Sequence, residues 1–212
     1  MDSNAPNNVG LKLADIGNYE NMNDFSTIGL SGVFTSLLVL LSARVGGFGG
    51  VPLNTFFDMF GIEGVITIVT FIVILFQITR YLYTAFYERS GKTWSPLVFI
   101  CFLLGAHLIH DIVFYYGIIS QLPKGKNDMV DILRALSANH KVYTLIAHSG
   151  ILIVTALVAM ILSEVSDLAK MIVFVVMLYV TPYALAVHYP KPEPPPPPPK
   201  KEKMEDMRGN YY

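Results

Sequence analysis

Five apolar stretches, each about as long as a bilayer is thick, fix what this chain can fold into. They run roughly over 27–47, 61–84, 97–119, 142–162 and 168–188. A hydrocarbon core of ~30 Å takes about 20 helical residues to cross. In lipid a spanning helix bonds every backbone N–H and C=O within itself, so apolar runs of this length predict helices. The expected fold class is all-α: a polytopic membrane protein with about five transmembrane helices over 27–188. A polar N-terminal tail, 1–26, precedes them, and a Pro-rich basic C-terminal tail, 189–212, follows.

Charge is scarce and segregated. Charged residues make up 15% of the chain, against about 25% in an ordinary soluble domain. Residues 45–62 hold one acid, Asp58, and no base, and residues 93–110 hold no Lys, Arg, Asp or Glu. A net charge of -1 argues against a nucleic-acid binder, which would present a basic face. The one cysteine, Cys101, has no partner for an intrachain disulfide and no Cys/His metal spacing around it, and reads as a small buried hydrophobe. The N-terminus lacks the basic and apolar regions of a cleaved signal peptide, and Asp2 excludes myristoylation, so the first span is expected to drive insertion.

The segments between the spans carry their own signals. Residues 1–26, rich in Asn and Asp, predict a tail that is mobile or ordered by a partner. Gly29, Gly32 and Ser36 give the first span a small-residue face for close helix approach. Arg44 is placed to snorkel to the headgroups, and Arg80, Tyr81 and Tyr83 read as a second headgroup boundary. Gly46-Gly47-Phe48-Gly49-Gly50 lacks the Lys-Ser/Thr of a phosphate loop and predicts a turn. Residues 52–60, with Leu53, Phe56, Phe57, Met59 and Phe60, predict a short interfacial segment. Asn127 to Leu136 predicts an amphipathic helix capped by Asn127, with Met129, Ile132, Leu133 and Leu136 on one face. Glu164 and Asp167 mark an exposed turn, and Pro182 a kink in the fifth span.

Five spans put the termini on opposite sides. The side of the N-tail then carries five bases and the other side ten, so the C-terminus is expected in the cytosol. The run Pro194 to Pro199 favours a polyproline rod, followed by Lys200, Lys201 and Lys203. It reads either as a partner-binding tail for aromatic grooves or as a stiff spacer.

The third span is the unusual one. His107, His110 and Asp111 fall at i, i+3 and i+4, with Tyr115 extending the stripe and Tyr116 flanking it. Ionisable groups inside a span normally face protein or water, so this face points into the bundle. Thr144, His148 and Thr155 on the fourth span are candidates to oppose it. The polar cluster of His107, His110, Asp111, Tyr115 and His148 admits four readings. It fixes helix packing, relays protons or ions, holds a b-type haem between histidines, or binds zinc through His107, Asp111 and His148. The packing reading is adopted, with no cofactor, no metal and no enzyme activity expected.

His110-Asp111-Ile112-Val113-Phe114-Tyr115, then Pro123, Gly125, Asn127 and Met129 to Leu133, form a pattern. It resembles a group of uncharacterised multi-spanning membrane proteins of nucleocytoplasmic large DNA viruses. The resemblance covers about 40 residues, a fifth of the chain. The group tends to carry Asp-Ser early in the next span, where this chain has His148-Ser149. The resemblance implies a protein of the virion's internal membrane, beneath an icosahedral capsid, and it does not imply a biochemical activity. The reading is therefore a structural or scaffolding membrane protein, with tails that contact other membrane or capsid proteins. The alternative is a transporter, channel or redox membrane subunit using the His/Asp face.

Overall fold

A computed structural model describes residues 13–139 and 141–188. The described residues are helical, with no strand among them. The helices are α1 (Asp24–Gly46), α2 (Gly50–Phe86), α3 (Pro96–Phe114), α4 (Asp128–Asn139), α5 (Lys141–Leu162) and α6 (Asp167–Ala186). Five of them, all but α4, are long and apolar enough to cross a membrane. The expected five spans are thus present, four of them within a few residues of their sequence-based bounds, while α2 begins at Gly50 instead of 61.

The central helix is α1, which packs on α2, α5 and α6. Its inner positions are small or hydroxylated: Ser31, Gly32, Thr35, Ser36 and Ala43 are all buried. Small side chains let neighbouring backbones come close. A Cβ added at Gly32 would meet Val69 Cγ1 at 3.5 Å, whereas one at Gly29 would meet nothing within 4 Å. Of the predicted small-residue face, Gly32 and Ser36 are therefore buried, and Gly29 is open. The hydroxyls are satisfied along the helix itself, Ser31 Oγ donating to Thr27 O at 2.8 Å and Thr35 Oγ1 to Ser31 O at 2.9 Å. Across the α1–α5 contact, Thr155 Oγ1 donates to Thr35 Oγ1 at 3.0 Å.

Two apolar cores fill the bundle. One gathers Ile28 of α1, Ile72, Phe76 and Tyr83 of α2, Phe99 and Leu103 of α3, and Leu152 and Ala156 of α5. The other joins Leu40 and Ala43 to Phe56, Phe57, Val65 and Ala184, with Met129 and Ile132 of α4 against it. Asn127 caps α4 as predicted, its Oδ1 accepting from Val130 N at 3.1 Å. The amphipathic helix lies against the bundle because Met129 and Ile132 share the apolar face.

Three sequence expectations are corrected. The segment 52–60 does not lie free in the interface. It is the short first arm of α2, and Phe56 and Phe57 bury completely between α1 and the rest of α2. The arm is set off by Gly61, whose φ of 49° and ψ of -123° interrupt the helix. Second, residues 13–23 are not a detached tail. Ile16 is fully buried, Tyr19 N donates to Thr84 Oγ1 at 2.9 Å, and Trp94 Nε1 donates to Leu13 O at 3.3 Å. Third, Cys101 is exposed, not buried. The third span is apolar on nearly every side, so its periodicity does not tell an inward position from an outward one. The turn at 46–50 is as expected, with positive φ at Gly47, Gly49 and Gly50. Pro182 lies inside α6.

Candidate functional site

Among the described residues, three polar clusters interrupt the apolar interior, and each is built by residues brought together from different elements.

The first surrounds Arg80, whose side chain is wholly buried on α2. Its Nη2 donates to Asn18 O at 2.5 Å and Asn21 O at 2.6 Å, and lies 3.4 Å from Asp24 Oδ2. Asn21 Nδ2 donates to the same Asp24 oxygen at 2.9 Å. Arg80 is thus the peg on which the N-terminal segment is hung, not a headgroup anchor. A guanidinium offers five donors and no acceptor. The loop carbonyls supply what the helix cannot.

The second surrounds Arg44 at the end of α1. Its Nη2 lies 2.7 Å from Asp58 Oδ1, and its Nη1 donates to Asn54 Oδ1 at 3.1 Å. Asn54 Nδ2 in turn donates to Ala43 O and Gly50 O, each at 3.1 Å. Arg44 is buried and does not snorkel. The glycine turn folds the short arm of α2 back so that Asp58 and Asn54 reach it. The sequence held a signal for this pair: Arg44 and Asp58 are the only two charged residues between 43 and 62.

The third cluster is the predicted one. Asp111 of α3 is its hub. Its Oδ2 lies 3.1 Å from His107 Nε2, and its Oδ1 lies 3.4 Å from His110 Nδ1. One turn of helix separates His107 from Asp111, so the pairing follows directly from the i, i+4 spacing. The His107 contact is an ion-pair distance but not a hydrogen bond in direction, and Nε2 is buried without a hydrogen-bond partner. From α5, the His148 ring meets the His107 ring edge to face, centroids 5.9 Å apart. His148 Nδ1 is likewise buried and unpartnered. One ligand-type atom from each of His107, Asp111 and His148 falls within 4.8 Å of the others. The two histidine rings pack on each other, so a porphyrin between them would require their separation.

The remaining predicted residues divide. His110 turns away from His148, stacking on Phe114 at 5.6 Å and meeting Phe71 edge-on at 4.8 Å. It touches the cluster only through Asp111. Tyr115 stays outside: it is 42% exposed and packs against Tyr116. The α-helical turn from Asp111 to Tyr115 is intact, with Tyr115 N donating to Asp111 O, and the wider π-helical winding begins only at Tyr115 and runs to Ile119. Thr155 faces α1, and Thr144 Oγ1 donates to Leu136 O of α4 at 3.3 Å, so neither opposes the α3 face. Pro194, Pro199, Lys200, Lys201 and Lys203 lie outside the described residues.

Comparison of the chain with protein-family models, curated proteins and solved structures finds no match.

Proposed function

We propose that the chain is a structural integral membrane protein, a multi-span anchor whose tails contact partner proteins. The observation that supports this best is how the bundle spends its deepest charges. Arg44 and Arg80 are each consumed in a clamp that ties a connecting segment to a span. A buried guanidinium held by backbone carbonyls and a carboxylate fixes geometry; it does not release a proton or pass an ion. Such fixtures suit a rigid platform. The Pro-rich tail is the contact device in this reading, with Pro194 to Pro199 carrying Lys200, Lys201 and Lys203 away from the bilayer. Following the resemblance that starts at His110-Asp111, the membrane is the internal membrane of a virion and the partners include capsid proteins.

The experiment compares the full chain with a chain ending at His188, each cross-linked in its native membrane and identified by mass spectrometry. The truncated chain is expected to insert normally and to lose its cross-linked partners. Proteoliposomes of the full chain are expected to pass ions and protons no faster than empty vesicles. A flux that Asp111→Asn abolishes would replace the structural reading with a transport one.

A further inference from the structure

We infer that His107, Asp111 and His148 form a binding site for one divalent first-row metal ion of the zinc type, linking α3 to α5 inside the membrane-spanning bundle. The inference goes beyond the structural role and does not depend on it.

The chemistry of the donors comes first. Two imidazoles and one carboxylate are borderline-to-hard ligands, the set used for zinc and for non-haem ferrous iron. The only thiol, Cys101, is exposed elsewhere on α3, so the site is purely nitrogen and oxygen.

Geometry comes second. Bonds of 2.0–2.1 Å in a tetrahedron put neighbouring ligand atoms about 3.4 Å apart. His107 Nε2 and Asp111 Oδ2 are already 3.1 Å apart, on successive turns of one helix. The full set lies within 4.8 Å, so closure to that spacing asks for a shift of at most about 1.4 Å.

The third observation is the unmet demand of the nitrogens. His107 is 1% exposed, and its Nε2 has no hydrogen-bond partner although it faces the carboxylate. His148 Nδ1 is buried and unpartnered as well. Of the six buried side-chain polar atoms without a partner among the described residues, these two are the imidazole nitrogens, and both belong to histidines gathered around one carboxylate. A cation would satisfy all three groups at once. His110, 3.4 Å from the other oxygen of Asp111, would then orient the carboxylate without ligating, as outer-shell partners of metal sites do. With three protein ligands and Asp111 one-third exposed, a fourth position stays open to water.

The test uses the full chain, purified in detergent and stripped with a chelator. Titration with Co2+ is expected to give visible d–d absorption that saturates at one equivalent, without the thiolate charge-transfer band of a sulfur ligand. Zn2+ is expected to displace it, and elemental analysis to find one zinc per chain after dialysis. His107→Gln and His148→Gln keep the size and polarity of the site, and each is expected to weaken binding at least 100-fold. His110→Ala is expected to weaken it about 10-fold, as loss of an outer-shell partner does. His188→Ala, on the exposed segment after α6, is expected to leave it unchanged. Gel-filtration profiles matching the parent establish that each variant is folded. Absence of stoichiometric binding by the folded parent overturns the inference. So does binding that survives the double substitution of His107 and His148.

Discussion

A guanidinium cannot shed its proton at any ordinary pH, so burying one obliges the chain to surround it with acceptors. Arg80 meets most of that demand with the carbonyls of Asn18 and Asn21, the carboxylate of Asp24 and the amide oxygen of Gln77, while its Nε has no partner. Removing the cation leaves the buried Asp24 without its counter-charge, a situation that costs about 3–5 kcal/mol in buried pairs. Arg80→Met is therefore expected to lower the thermal midpoint in detergent sharply, and to free residues 13–23 for proteolysis. An unchanged midpoint would mean that the clamp does not hold the segment. Asp111 poses the gentler version of the problem. With chelator present, Asp111→Asn keeps the hydrogen-bonding capacity that His110 uses, and Asp111→Leu removes it. Leu is expected to destabilise by ~1–3 kcal/mol and Asn by much less, read by thermal denaturation. Equal losses would argue that the carboxylate's charge, not its hydrogen bonding, is what the site needs. At this scale the His107–Asp111 pair and its meeting with His148 were legible in the sequence, because helical spacing fixes the first and an isolated histidine early in the next span marks the second. The roles of Arg44 and Arg80 were not. A basic residue near a span end looks like a headgroup anchor until the partner segment is known to fold back over it.

The helices themselves follow closely from apolar run length, and α4 from its cap and its spacing of Met129, Ile132, Leu133 and Leu136. What escaped was the relation between neighbouring elements. Residues 52–60 carry the aromatic composition of an interfacial segment, yet the backbone turn at Gly61 folds them into the bundle. Composition reports that Phe56 and Phe57 avoid water. It does not report whether lipid or protein receives them. Gly61 decides the matter, since φ 49° with ψ -123° lies in territory that residues with a Cβ avoid. Space is no obstacle there, as a Cβ would meet nothing within 4 Å. Gly61→Ala is thus a test of backbone strain alone. Such strain costs on the order of 1–3 kcal/mol. The substitution is expected to lower the denaturation midpoint accordingly and to weaken the Arg44–Asp58 bridge, 2.7 Å long in the parent. A neutral effect would show that α2 tolerates a continuous helix through residue 61.

Across the whole molecule, the polar contacts define two ends. Residues 13–23 join the α2–α3 loop at one end, where Trp94 Nε1 bonds Leu13 O and Arg89 lies 3.6 Å from Glu20. At the other end Arg44 reaches Asp58 and, at 3.5 Å, the carbonyl of Leu185 near the finish of α6. The start of α1 and the finish of α6 therefore lie at opposite ends, as five crossings require. The five-span count predicted the same division, and base counting served only to choose its cytosolic side. It counted Arg44 and Arg80 as free flanking charges, and both are neutralised inside the bundle. Leaving them out, the two sides hold nine and four bases, and the asymmetry that orients a membrane protein survives. Single cysteines placed at Glu20, Lys126, Glu164 and Tyr212, in a Cys101→Ala background, test the arrangement in sealed vesicles. Glu20 and Glu164 are both exposed and belong to one end; Lys126, in the exposed connection before α4, belongs to the other. Glu20 and Glu164 are expected to label from the outside, and Lys126 and Tyr212 only from the cytosolic side. Labelling of Glu20 together with Lys126 would mean that α1 enters and returns without crossing. Because Arg80 ties residues 18–24 to α2, that outcome would also require the clamp to break, so Arg80→Met is the variant in which such a rearrangement would first become visible.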